Sequence, residues 1–213
     1  MDVFMLILEL VGTVAFAISG AMTGLRKGMD IFGVAILGLT TAVGGGVLRD
    51  ILLGSLPPAM FQDPIYAVVA VATSILIFVP RIRRLLTANQ RLYALLMLLT
   101  DTVGLGIFAV VGVKAAFLSG HTSRFLAVFV GTITGVGGGV LRDVFSGDTP
   151  YIFRKHIYAC AAIAGALACA LLWKPLGSTW AMLTGCVLVL AIRLLAAHYR
   201  WSLPKAHPDE PEG

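Results

Sequence analysis

The sequence predicts an all-α membrane protein. It has seven transmembrane helices, arranged as two inverted three-helix repeats plus a seventh helix. Three observations carry this reading: the apolar excess, the spacing of the apolar runs, and a duplicated heptapeptide. Of 213 residues, 58% are apolar and 13% charged, against about 45–50% and about 25% in an ordinary soluble domain. That much apolar surface cannot be hidden in one soluble core of this size, so it must face lipid.

A helix crosses the hydrocarbon with about 20 apolar residues. Runs of that kind lie near residues 3–25, 31–54, 64–80, 91–113, 124–146, 156–173 and 179–198. The first run lacks a basic leader and carries Glu9, so it reads as a retained membrane helix rather than a signal peptide. The third and sixth runs are short and are closed by Arg81 and Lys174, whose long side chains can snorkel. The tail from residue 201 is rich in proline and charge and cannot bury apolar surface; it is expected to be disordered.

The net charge of +5 does not imply nucleic acid. Its basic residues lie between apolar runs without interleaved aromatics, as topogenic charge does. With the N-terminus outside, the inner segments hold Arg26, Lys27, Arg81, Arg83, Arg84, Arg91, Arg154, Lys155, Arg193, Arg200 and Lys205. The outer ones hold only Lys114, Arg124 and Lys174. This asymmetry predicts an outer N-terminus and a cytoplasmic C-terminus.

The heptapeptide GGGVLRD occurs at Gly44–Asp50 and again at Gly137–Asp143. Around it Gly54 aligns with Gly147, Pro57 with Pro150 and Tyr66 with Tyr158. Upstream, Glu9, Gly12, Phe16 and Gly20 align with Asp101, Gly104, Phe108 and Gly112. The expected organisation is a first repeat over 1–90, a second over 91–175, a seventh helix over 176–200 and a tail over 201–213. Three crossings is an odd number, so the second copy enters from the opposite side, and a pseudo-two-fold axis lies in the membrane plane.

Three successive glycines are unfavourable in a helix, by about 1 kcal/mol each relative to Ala. Two readings follow. Either the helix breaks there and lines a path, with freed carbonyls available to a cation, or small residues permit close helix packing. The matched placement in both copies favours the path. The expected lining residues are Gly44, Gly45, Gly46, Gly137, Gly138 and Gly139, with Thr41 and Thr134 adding hydroxyls. On this reading Gly45→Leu or Gly138→Leu abolishes transport and leaves the assembly intact.

Arg49 with Asp50, and Arg142 with Asp143, lie one turn beyond the glycines. Helical neighbours do not face each other, so a cross-repeat pairing, Arg49 with Asp143 and Arg142 with Asp50, is expected. Whether these pairs anchor helices or line the path stays open. Asp101, well inside its span, is the stronger of the two matched carboxylates, because an intramembrane acid is costly unless paired or wet. Lys114, ending the fourth span, either snorkels or responds to voltage. Arg193 reads as topogenic. Cys160, Cys169 and Cys186 have no close pairing and read as small packing residues. His121, His156, His198 and His207 have no ligand spacing. There is no catalytic motif, so no enzyme activity and no cofactor are expected.

With GGGVLRD in both halves and a three-plus-three-plus-one order, residues 1–200 resemble a prokaryotic member of the trimeric intracellular cation channel family. Bacterial sequences of this type are also grouped under a glycine-transporter domain name. The resemblance implies a homotrimer in the bacterial plasma membrane, with one pore per protomer lined by bent helices two and five. It also implies potassium or another monovalent cation as the permeant species, and a voltage-responsive lysine, to which Lys114 is the nearest match. The alternative class is a secondary transporter of a small neutral amino acid such as glycine. A purely structural role is the third.

Overall fold

The computed structural model describes residues 3–120, 122–154 and 157–201. His121, His156, His207 and residues 202–213 of the expected disordered tail lie outside the described residues. The long helices are α1 (Val3–Arg26), α2 (Ile31–Leu52), α4 (Ile65–Phe78), α6 (Gln90–Leu118), α7 (Arg124–Phe145) and α9 (Ile157–His198). Short helices α3 (Ala59–Gln62), α5 (Pro80–Ala88) and α8 (Tyr151–Arg154) join them. No strand occurs among the described residues.

The helix ends follow local chemistry. Asp30, Asn89 and Ser123 cap α2, α6 and α7 by accepting hydrogen bonds from backbone N–H groups one turn on. α2 and α7 end alike. Gly54 (φ 69°) and Gly147 (φ 72°) take the left-handed conformation that a side chain disfavours. The chain then turns back, with Ser55 N donating to Asp50 O and Asp148 N to Asp143 O, both at 2.8 Å.

α9 spans 42 residues, about 63 Å of continuous helix, twice the hydrocarbon thickness. It is two arms. Pro175 lacks an N–H, and Gly177 (φ 75°, ψ 166°) leaves helical geometry. The arms fold back on each other. A Cβ on Gly165 would stand 2.7 Å from the Gly185 carbonyl oxygen, and one on Gly185 would stand 2.7 Å from the Gly165 oxygen. Two small residues thus let the arms pack backbone to backbone, and with α9 counted as two arms the crossings among the described residues number seven. Outward, Ile163, Leu167 and Leu171 form an exposed stripe at four-residue spacing, as a lipid-facing helix requires.

The third crossing is shorter than expected. α4 stops at Phe78, and α5 leaves it at a bend of 75°, started by Pro80 at its first position. α5 packs Leu86 inward and keeps Arg81, Arg83 and Arg84 exposed.

α2 and α7 cross at the glycines, and both are continuous helices through them. The expected break is absent. A Cβ on Gly45 would lie 2.2 Å from the Thr134 carbonyl oxygen, and one on Gly138 would lie 2.2 Å from the Thr41 oxygen. Gly137 faces the Gly45 Cα in the same contact. The physical reason is packing: backbones this close leave no room for any side chain, and a helix that keeps its own hydrogen bonds satisfies every backbone polar group without water. Thr41 and Thr134 donate to Leu37 O and Val130 O, both at 2.6 Å, and so turn their hydroxyls into their own helices. α1 and α6 repeat the scheme, with Gly12 under Phe108, Gly104 under Phe16, and the two rings stacked at 5.5 Å.

This geometry reverses the expectation that leucine at Gly45 or Gly138 spares the assembly. Gly45→Ala or Gly138→Ala is expected to destabilise the fold by about 1–3 kcal/mol or more, because the clash is with backbone. Gly46→Ala, whose new Cβ would meet only the Arg49 Nη2 at 3.9 Å, should be near neutral. Thermal unfolding in detergent, followed by size-exclusion fluorescence, compares the three.

Candidate functional site

Two matched ionic clusters flank the crossing. In the first repeat, Glu9 comes from α1, Arg49 and Asp50 from the end of α2, and Tyr66 from α4. The Tyr66 hydroxyl donates to Glu9 Oε2. Arg49 Nε donates to Asp50 Oδ1 at 2.8 Å, and Ala59 N, at the start of α3, donates to Asp50 Oδ2 at 2.8 Å. These residues border a cavity of about 270 Å³, lined also by Gly46, Gln62 and Asp63.

In the second repeat the equivalent places hold Asp101 on α6, Arg142 and Asp143 on α7, and Tyr158 on α9. Arg142 Nη1 meets Asp101 Oδ1 at 2.6 Å and also donates to Ser19. Arg142 Nε donates to Asp143 Oδ1 at 2.8 Å. Tyr151 N, at the start of α8, donates to Asp143 Oδ2 at 2.8 Å. The guanidinium also lies 5.3 Å over the Tyr151 ring. Arg142 and Asp101 are wholly buried, whereas the Arg49 side chain keeps 12% of its exposure.

The cross-repeat pairing is therefore corrected. Arg49 pairs with Asp50, and Arg142 with Asp143 and Asp101. The reason is the crossing itself. Gly45 faces Thr134 and Gly138 faces Thr41, so α2 and α7 run antiparallel, and Asp50 and Asp143 lie beyond the contact on opposite sides. Each aspartate instead caps the short helix that follows it. The flexible arginine then curls back to the neighbouring carboxylate, a reach that the facing rule for rigid stems does not cover.

Of the expected site residues, the structure gathers Arg49 and Asp50 at the open cavity and Asp101, Arg142 and Asp143 in the sealed cluster. Gly46 borders the cavity, and Gly139 lies under the Tyr158 hydroxyl. Gly44, Gly45, Gly137, Gly138, Thr41 and Thr134 sit at or beside the crossing. Lys114 is half-buried near the end of α6 and enters no ion pair among the described residues. Sequence reasoning missed Ser19 and the two tyrosine hydroxyls. The alignment of Tyr66 with Tyr158 was the available signal. It also missed Lys27 Nζ–Asp148 Oδ1 at 2.6 Å, a bridge between the α1–α2 and α7–α8 links. The Lys27 ammonium, hydrogen-bonded to it, holds the Asp148 carboxyl below the usual carboxylate range. Cys160, Cys169 and Cys186 are free thiols; Cys169 is buried and Cys186 half-buried, as packing residues are, whereas Cys160 is exposed and does not fit that expectation.

These features define a polytopic α-helical membrane protein with matched halves and a charged interior on each side of a central crossing. A sequence model of a family described as glycine transporter matches residues 6–81 and again 98–174. The inner membrane protein YadS of Escherichia coli K12 is 41% identical over 207 residues, covering 95% of this chain and 96% of YadS. The membrane protein YvgT of Bacillus subtilis is 32% identical over 198 residues, covering 93% and 94%. Among solved structures, a TRIC cation channel superposes with a TM-score of 0.84 at 35% identity, covering 96% of this chain and 98% of that one. A trimeric intracellular cation channel orthologue from Rhodobacter sphaeroides gives 0.85 at 31% identity, covering 94% and 100%. The chain belongs to this glycine transporter family, as a prokaryotic TRIC member.

Removing one partner of a buried ion cluster strands the others, at about 3–5 kcal/mol. Asp101→Asn is expected to destabilise the fold by that order. Glu9→Gln keeps a hydrogen-bonding partner for Tyr66 at a half-exposed position and should cost about 1 kcal/mol or less. Thermal unfolding in detergent measures both.

Proposed function

We propose that the protein is a monovalent cation channel, chiefly for potassium, working as a homotrimer with one ion path in each protomer. The observation that carries this reading is the acid-rich cavity on a fold that matches solved cation channels. Among the described residues, Glu9, Asp50 and Asp63 line it against one cation, Arg49, and an excess of one charge sign in a low-dielectric cleft concentrates counter-ions.

The path runs from that cavity past Gly46 and the α2–α7 crossing, formed by Thr41, Gly44, Gly45, Thr134, Gly137 and Gly138. It continues past Gly139 to the Asp101–Arg142–Asp143 cluster. Lys114 is the proposed voltage-responsive group. The N-terminus faces outward in the bacterial plasma membrane, the cavity opens on that side, and lipids surround the protein. The repeats extend over 1–90 and 91–175, followed by the seventh helix at 176–200. Glycine transport draws less support. A zwitterion site at the midplane needs a half-helix N-terminus for its carboxylate, and both α2 and α7 run unbroken there.

Purified protein in planar bilayers is expected to give unitary currents reversing at the potassium potential. Glu9→Gln, which removes one cavity charge, should lower potassium-over-chloride selectivity several-fold, on the order of 1 kcal/mol per cation. Saturable glycine uptake without unitary currents would overturn the channel reading.

A further inference from the structure

The two ionic clusters are built from the same repeated residues but differ in charge, and the difference comes from outside the repeat. In the first cluster, Glu9 and Asp50 face one cation, Arg49, which leaves an acid excess beside an open cavity. In the second, Asp101 and Asp143 face two, Arg142 and Arg193, and the count is neutral. Arg193 stands on the second arm of α9, a crossing with no counterpart in the first repeat. It is not the topogenic residue that the sequence suggests. It is 4% exposed, its Nη2 lies 3.7 Å from Asp101 Oδ2, and its guanidinium lies 4.8 Å over the Tyr158 ring.

That contact is electrostatic without being a hydrogen bond. Among the described residues, Asp101 Oδ2, Arg142 Nη2, Arg193 Nε and Thr102 Oγ1 are buried without a hydrogen-bond partner. Buried polar atoms are ordinarily satisfied, and exceptions mark strain or function. Arg142 is held differently: its Nε and Nη1 are hydrogen-bonded to Asp143, Asp101 and Ser19, and its Nη2, though not hydrogen-bonded, lies 2.8 Å from Asp143 Oδ1, so it is a fixed part of the wall. Of the two cations, Arg193 is the one held loosely enough to part from its acid.

We propose that Arg193 is the electrostatic plug of the second half of the ion path. It cancels the charge of Asp101, which would otherwise give that half the same cation-attracting excess as the first. A permeant cation then competes with Arg193 for Asp101 Oδ2, and conduction proceeds as the guanidinium withdraws.

The test is recording from the full-length protein in planar bilayers with potassium chloride. Arg193→Gln leaves the second cluster with one net negative charge. Unitary potassium conductance or open probability is expected to rise on the order of threefold or more, with cation selectivity increased. Arg193→Lys, which keeps the charge, should restore the wild-type range, a rescue that a purely packing role would not predict. Should Arg193→Gln fail to assemble, Arg193→His supplies the same test within one folded sample. Facing Asp101 from α6, Arg142 and Asp143 from α7, and Tyr158 from its own α9, the imidazole loses its charge as pH rises from about 5.5 to about 8.5. Its conductance should climb relative to wild type over that range. Unaltered conductance, open probability and selectivity in an assembled Arg193→Gln protein, or no relative pH response in Arg193→His, would overturn the proposal. The inference rests on the channel reading; silence of the wild-type protein would instead overturn that reading.

Discussion

The contact between α2 and α7 is the constraint on which the rest of the structure depends. At Gly45 and Gly138 each helix lays its backbone on the carbonyl of the other, with no space for a Cβ. In lipid there is no hydrophobic drive to bring helices together, so association depends on dispersion between closely matched surfaces. Glycine permits that closeness. Because the contact is antiparallel, it also carries the two Arg-Asp pairs to opposite sides of the crossing. Everything polar in the interior is arranged around this fixed point. The aspartates cap the short helices that follow, the arginines curl back to them, and Phe16 stacks on Phe108 beside the crossing.

Matched residues need not produce matched environments. The first cluster opens to a cavity, and its acids outnumber its bases. The second is closed by Ser19 from α1, Tyr151 from α8 and Arg193 from the last crossing. Desolvation makes the second cluster costly unless every charge is answered, and the added arginine answers the acid that Arg142 shares. A seventh helix appended to a duplicated unit thereby separates the two halves electrostatically while leaving their backbone contacts alike. Ion conduction through such a molecule would meet an attracting chamber and a neutralised one in series.

Much of this was legible in the sequence. The apolar runs gave the crossings to within a few residues, because length and hydropathy set them directly. The duplicated heptapeptide and the aligned Glu9 and Asp101 marked the residues that the structure gathers into clusters. The glycines were read toward a break, because propensity describes an isolated helix, and the partner backbone that makes glycine favourable here lies on a distant segment. The pairing of Arg49 with Asp50 was hidden for a related reason. It depends on Ala59 N fixing the carboxylate, a contact set by the turn after Gly54 rather than by helical spacing. Arg193 carried no repeat signal at all, so its partnership with Asp101 could emerge only from the packing of the last crossing.

Continuity of the two crossing helices is the central physical claim, and hydrogen exchange reads it directly. In protein reconstituted into lipid nanodiscs with potassium present, the amides of Gly44, Gly45, Gly46, Gly137, Gly138 and Gly139 should be among the slowest to exchange, far slower than those of Gly54 and Gly147 in the turns. Fast exchange at the central glycines, comparable with the turns, would mean that the helices open there and would contradict the close-packed crossing.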